Sequence, residues 1–404
     1  MPVPALHEHW IARQLPRMAR VRNFIFMFAT AVLVAAPARA ADPVEVAPLT
    51  TIDLFSIGYG GPGLGQDVWR GLSTPMARSV LPRLNLRNLS PAARELAIRL
   101  LTTGGTAPAG SDADLAAARA KALLALGQPE AVAVILNRAP NLGQNAELSR
   151  AASEAFLITA QDTQACEVEQ GLGNGRDTPY WLRLRAYCQI IGGQIDAASL
   201  TFDLANQAER DPVYARLMGV LLAGAGSPGA PSYRNGLEIA LGRKLGLASP
   251  PQAALPDIAS PQAMSGWQPL LTWDDAPDNA AFDRLFDDAV NAATPASRVQ
   301  AQSQVLILAA VGHPMSEVQR AATSRFEAGR STASAGALLA LNDAAFAGLT
   351  GQTALSALAI CVAAPPAGIS PSDRISIIAA LRRAGLTQDA RAFALEGLAA
   401  RPPP

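Results

Sequence analysis

Between Gly127 and Gly226 the apolar positions follow a three-and-four spacing that restarts every 33 residues. Leu148, Ala152, Ala155, Phe156 and Thr159 line one side of a helix, and Tyr180, Leu184, Tyr187, Cys188 and Ile191 line one side of the next. Gln128, Gln161 and Gln194 mark the period, each behind a small residue (Gly127, Ala160, Gly193) that lets one helix end and another begin. Gly226 lies one period further on. Pro179 and Pro212 are also 33 apart, each placed as a first helical residue behind a capping side chain, Thr178 or Asp211. A helix with a single apolar face needs a neighbour to cover it. Two helices per unit at this period therefore predict an all-α chain, an α-solenoid of stacked helical hairpins.

Residues 224–280 interrupt the pattern with Gly224, Gly226, Pro228, Pro231, Pro250, Pro251, Pro256, Pro261 and Pro269. That is too long and too punctuated for a hairpin turn, so it reads as a Pro/Gly-rich connector carrying a short helix near Leu237–Leu245. Helical spacing resumes afterwards, over 279–293, 296–311, 315–328, 333–347, 352–363, 371–384 and 387–400. The expected organisation is 1–40 leader, 41–90 irregular segment with a short helix at Gln66–Leu72, 91–223 first helical block, 224–280 connector and 281–404 second block.

The unit from Thr178 to Pro212 resembles the tetratricopeptide repeat. Trp181, Ala186, Gly193, Ala198, Phe202, Ala205 and Pro212 stand at or within one residue of that family's pattern. A degenerate relative closes the chain with Pro371, Ile375, Leu381, Gly385, Ala390 and Pro402, whereas Glu169 stands where the preceding unit should carry its aromatic. The likeness covers about half of the chain after the leader and implies fold far more than function. The layout also resembles secreted, alanine-rich helical-repeat proteins of alphaproteobacteria.

Residues 24–36 form an apolar run too short to span a bilayer, preceded by Arg20 and Arg22 and followed by Ala38-Arg39-Ala40. This has the form of a cleavable signal peptide, with Met18 giving a better proportioned start than Met1 and the mature chain expected near Ala41. Export to the periplasm follows as the expectation, with no transmembrane segment in the mature chain.

Half of the residues are apolar and only 5% are aromatic, a balance suited to close helix contacts rather than a thick core. Net charge is zero and no basic stripe is present, which argues against nucleic acid as a partner. Beyond the leader the only histidine is His313, in Gly312-His313-Pro314, and the only cysteines are Cys166, Cys188 and Cys361. One imidazole builds neither a histidine-based triad nor a multi-histidine metal site, so no catalytic, cofactor or metal residue is expected.

Cys166 and Cys188 flank the Gly171-Leu172-Gly173-Asn174-Gly175 turn at comparable distances, so they are either a disulfide in an oxidising compartment or two buried thiols. Cys361 reads as a small core residue. Gly58-Tyr59-Gly60-Gly61-Pro62-Gly63 matches a dinucleotide fingerprint by letter but lacks a βαβ setting. Tyr59, Leu64 and Trp69 nearby either dock on the first hairpin or present an apolar patch to a partner. Asp274, Asp275, Asp278, Asp283, Asp287 and Asp288 form an acidic run without calcium-loop order, best taken as a solvated helix start.

Together these features predict a non-enzymatic periplasmic scaffold that binds an envelope protein or peptide. The alternative is an accessory protein of peptidoglycan metabolism, binding the cell wall or an enzyme that acts on it.

Overall fold

The computed structural model describes residues 53–60, 63–139, 142–250, 267–271 and 279–399. The leader expected over 1–40 and the carboxylates Asp274, Asp275 and Asp278 lie outside these residues. The described residues form seventeen α-helices and no strand. They are α1 Thr74–Val80, α2 Pro91–Thr102, α3 Ala113–Ala125, α4 Pro129–Leu136, α5 Ala146–Ile158, α6 Asp162–Gln170, α7 Pro179–Ile191, α8 Ile195–Ala208 and α9 Pro212–Ala223. After these come α10 Gly236–Lys244, α11 Asn279–Asn291, α12 Pro295–Val311, α13 Glu317–Thr323, α14 Ala335–Phe346, α15 Thr350–Ala363, α16 Pro371–Arg383 and α17 Thr387–Ala399.

Local chemistry explains where the helices start. Ser73, Ser90, Asp112, Asn145, Asp211, Asn235, Thr294, Ser334 and Ser370 each accept a hydrogen bond from a backbone N–H of the first turn, satisfying donors that the helix itself leaves open. Thr178 departs from this expectation: its hydroxyl donates to the Gly175 carbonyl instead of capping α7. Asp373, in the first turn of α16, is fully buried and accepts from Ser331, Thr332, Ala333 and Ser370. Burial pulls that carboxyl upward, but the hydrogen bonds outweigh it and hold its pKa at about 2.

The helix ends account for the 33-residue period. Gly127, Ala160 and Gly193 all take positive φ (72°, 62° and 75°), and the following Gln128, Gln161 and Gln194 donate back to Leu123, Phe156 and Gln189. This left-handed stop, with its long backward hydrogen bond, turns the chain tightly from α3 to α4, α5 to α6 and α7 to α8. Gly348 and Gly385 repeat the device between α14 and α15 and between α16 and α17, with Leu349 and Leu386 bonding back to Ala344 and Leu381. The period breaks at its last mark, because α9 stops at a left-handed Gly224 two residues before Gly226.

Helix pairs α3–α4, α5–α6, α7–α8, α11–α12, α14–α15 and α16–α17 pack side by side, and α9 packs on α7 and α8. The connector does not place the later helices after α9. α15 packs on α1 and α2, and α17 on α2, so the C-terminal helices sit against the beginning of the first block. Arg99 of α2 reaches buried Asp389 of α17 at 2.6 Å, and Glu396 accepts from the Ala92 N–H at the start of α2. α15 is the innermost helix, burying residues around its whole circumference from Gly351 to Cys361. Cys361 belongs to that core, and burial pushes its thiol up to about 12.

The N-terminal segment is a wedge between these two sets of helices. Ser73 N–H donates to Gln352 of α15 at 2.8 Å and Arg83 donates to the Val362 carbonyl at 2.7 Å. Gln66–Leu72, expected as a helix, is a run of turns, because Gly65 and Gly71 take φ of 92° and 68° and break the helical path.

A candidate binding cleft beside α10

α10, within the segment expected only to connect, folds back onto α5 and α9. Leu237 and Leu241 are buried there. Its start comes so close to α5 that a Cβ on Gly236 would lie 2.7 Å from the Glu154 carbonyl oxygen. The Gly236 N–H donates to the Glu154 carboxylate at 2.5 Å, and Arg243 donates to the Leu157 carbonyl and to Asp162. Burial raises the Glu154 carboxyl, opposed by the Gly236 N–H and the neighbouring Tyr180 hydroxyl.

Beside this docked helix lies a cleft of about 240 Å³, walled by α5, α7, α9 and the first turn of α10. Its charges are paired. Arg234 bonds both oxygens of Asp211 (2.7 and 2.8 Å) and the carboxylate of Glu238, which is 2% exposed and also accepts from Ser232 and Asn235. Burial tends to raise the Asp211 carboxyl, but Arg234 and the N–H groups of Tyr214 and Val213 hold it below its ordinary range. Arg183 donates to the Glu209 carbonyl and carboxylate at 3.0 Å and lies 5.6 Å from the Tyr214 ring. Arg150 is exposed at the mouth, its guanidinium 4.5 Å from the Tyr180 ring.

This arrangement is suited to binding. Aromatic rings, guanidinium groups and carboxylates converge in one place. Among the described residues no three His, Cys, Asp or Glu side chains gather as a metal site.

The structure scatters the residues picked out by sequence. Trp69 is buried, its indole N–H donating to the Thr103 carbonyl at 3.2 Å, so its contribution to an exposed partner patch does not stand. Leu64 is half-buried against the core and Tyr59 is 37% exposed. The glycines beside them serve backbone packing: a Cβ on Gly58 would lie 2.6 Å from the Gly104 nitrogen, and one on Gly104 2.6 Å from the Ser56 oxygen. Cys166 and Cys188 form a disulfide between α6 and α7, with Cα atoms 5.5 Å apart. Asp283, Asp287 and Asp288 lie on α11, where Asp283 accepts from Gln319 at 2.8 Å.

Arg119 was missed. Its buried guanidinium donates to the carbonyls of Leu54, Ile57, Leu101 and Thr103 and lies against the edge-to-face pair of Phe55 and Trp69, 5.3 and 5.2 Å from their ring centres. Burial lowers its pKa to about 10. A signal for it existed, since Arg119 falls on the apolar face of α3, four residues from both Leu115 and Leu123. Glu169, which took the place of an expected aromatic, is likewise buried and paired with Arg176 and Arg185 at 3.0 and 2.9 Å.

Comparison with protein-family models, curated proteins and solved structures finds no match.

Proposed function

We propose that this chain is a periplasmic, non-enzymatic scaffold built as a tetratricopeptide-like solenoid, holding a segment of an envelope protein in the cleft beside α10. The observation that carries the reading is the recurrent left-handed turn at Gly127, Ala160, Gly193, Gly348 and Gly385, one device producing successive helix pairs. Stacked pairs expose long surfaces whose work is recognition. The cleft supplies a polar seat where an extended segment meets guanidinium, carboxylate and aromatic groups together. The Cys166–Cys188 disulfide fits an oxidising compartment, and the apolar run at 24–36 with Ala38-Arg39-Ala40 fits export.

The test is a cross-linked pull-down of the exported chain carrying a C-terminal tag, wild type beside Arg150→Glu and Tyr180→Ala. A stoichiometric envelope protein captured by the wild type and lost from both variants is the expected result. Equal capture by all three would remove the cleft as the site. Co-sedimentation with purified sacculi in place of a protein partner would turn the reading toward the cell wall. N-terminal sequencing of the mature chain checks export, with Ala41 as the expected first residue.

A further inference from the structure

His313 has no role in the cleft, yet it is buried in an unusual setting. It follows the left-handed Gly312 that ends α12, and its own N–H donates back to the Leu308 carbonyl at 2.9 Å. Its side chain is 3% exposed, and its ring centre lies 4.2 Å from that of Phe282 on α11. Nδ1 is 3.3 Å from the Leu270 carbonyl oxygen, which fixes the tautomer: Nδ1 carries the proton and donates it, while Nε2 keeps a bare lone pair. Among the described residues Nε2 has no hydrogen-bond partner, and neither has the indole N–H of fully buried Trp267. Leu270 belongs to a single helical turn, Gln268–Leu271, which Trp267 directly precedes; the turn packs on α11 and α12, and Trp267, Leu270 and Leu271 are buried.

We infer that His313 is an acid-sensitive pin: protonation at Nε2 releases the turn at 267–271 from α11 and α12. The neutral ring suits this site, because it gives one hydrogen bond to Leu270 and stacks on Phe282. The imidazolium would carry a second N–H with no acceptor and a full charge with almost no water.

Among the described residues the surrounding charges do not rescue it. Asp283 of α11 favours the charged form but is already engaged by Gln319. Arg320 of α13 is bonded to the Met315 carbonyl two residues along, and Arg382 of α16 lies so near Gly312 that a Cβ there would be 2.7 Å from its Nη1. Both are cations. The turn itself, Trp267-Gln268-Pro269-Leu270-Leu271, offers no titratable group. Burial is the leading influence and lowers the histidine below its ordinary value, against the Leu270 carbonyl and Asp283.

The sign follows from proton linkage. A histidine with a folded pKa below about 6.5 binds its proton more readily once the turn is open. Opening is therefore unaffected above about pH 6.5 and becomes more favourable on acidification, by up to about tenfold per pH unit, until the folded pKa is passed. The pin acts on the turn at 267–271, and it does not depend on the cleft having a partner.

His313 is the only histidine beyond residue 9, so its imidazole signal in a proton–carbon NMR titration of residues 41–404 is unambiguous. The expected midpoint lies below 6.5, and a midpoint at or above it overturns the proposal. Hydrogen exchange read by mass spectrometry, corrected for intrinsic rates, should show peptides covering 267–271 exchanging faster at pH 5.0 than at 7.5, and equal rates overturn the proposal. His313→Asn keeps a donor for Leu270 and cannot titrate, so it should abolish that dependence; persistence of the dependence overturns the proposal. If the Asn variant already exchanges fast at pH 7.5, His313→Gln serves as the second non-titrating variant under the same criterion.

Discussion

The wedge between α2, α3 and α15 and the cleft between α5, α7, α9 and α10 both hold an irregular stretch of chain against helices, by opposite means. In the wedge the backbone itself is close-packed. A Cβ on Gly351 would lie 1.8 Å from the Val68 carbonyl oxygen, and one on Gly105 would lie 2.3 Å from that of Gln66. Its buried Arg119 spends its donors on carbonyls. At the cleft, apart from the close approach of Gly236 to α5, side-chain charges join α9 to α10, and Arg234 remains 52% exposed while doing so. A dry, close-fitted contact tolerates almost no change, whereas a hydrated ionic one can be edited or opened at small cost. The cleft is therefore the part of the molecule suited to exchange contacts with a partner.

The largest effect should come from Gly351→Ala. The added methyl meets backbone oxygen that has no free space behind it, so α15 and the 66–73 stretch must separate. A loss of about 3 kcal/mol or more is expected, at the upper end of overpacking costs, read as a lowered midpoint in urea at unchanged slope. A variant as stable as the wild type would show that the wedge is loosely held and would dissolve the contrast.

Arg119→Met comes next. It keeps the bulk against Phe55 and Trp69 but strips the donors from four carbonyls. About 3 kcal/mol of destabilisation is expected, since each buried acceptor left open costs about 1–3 kcal/mol and the segment relaxes in part. Limited proteolysis should then cut first near residues 54–57. Cutting elsewhere would mean that Arg119 does not staple this segment.

How much of this was legible in the sequence depended on the range of the contacts involved. All seven segments expected as helical after residue 279 contain a helix, although 315–328 is helical only over Glu317–Thr323, because periodicity, capping Ser and Thr residues, and N-terminal prolines such as Pro295 and Pro371 act within a few residues. The left-handed stops were visible as Gly or Ala before Gln. The wedge was not visible, because Ser73 meets Gln352 across 279 residues and nothing near either residue names the other. α10 was seen as a helix, but its docking rests on Glu154 and Leu157, 82 and 86 residues away from their partners. Arg119 and Glu169 were the readable exceptions, charges standing where apolar residues belonged.

Ala160 sharpens the contrast from the other side. It is the one described non-glycine residue with positive φ, at 62°, in the turn between α5 and α6, close in sequence to the helices that wall the cleft. Where the wedge cannot accept a Cβ, this turn carries one it would be better without. A left-handed alanine costs about 1–2 kcal/mol, and glycine gives back about 0.5–1 kcal/mol through its freer unfolded chain. Ala160→Gly should therefore stabilise the chain by up to about 1 kcal/mol, seen as a higher denaturant midpoint. A decrease would show that the alanine methyl makes a contact worth more than its strain.

The smallest effect should follow Arg234→Ala, and its smallness is the point. Arg234 joins Asp211, which caps α9, to Glu238, which sits in the first turn of α10. Because the guanidinium is half exposed, solvent screens most of its attraction, and the expected loss of global stability is below about 1 kcal/mol. Local opening should change more. Without Arg234, Glu238 keeps Ser232 and Asn235 as donors but loses its cation, so amide exchange along 235–241 should quicken severalfold while the protection of α15 stays as it was. Faster exchange confined to α10 would mark the cleft as an element that opens apart from the rest of the fold. Equal acceleration in α10 and α15 would mean instead that wedge and cleft unfold as one unit, and the distinction drawn between them would fail.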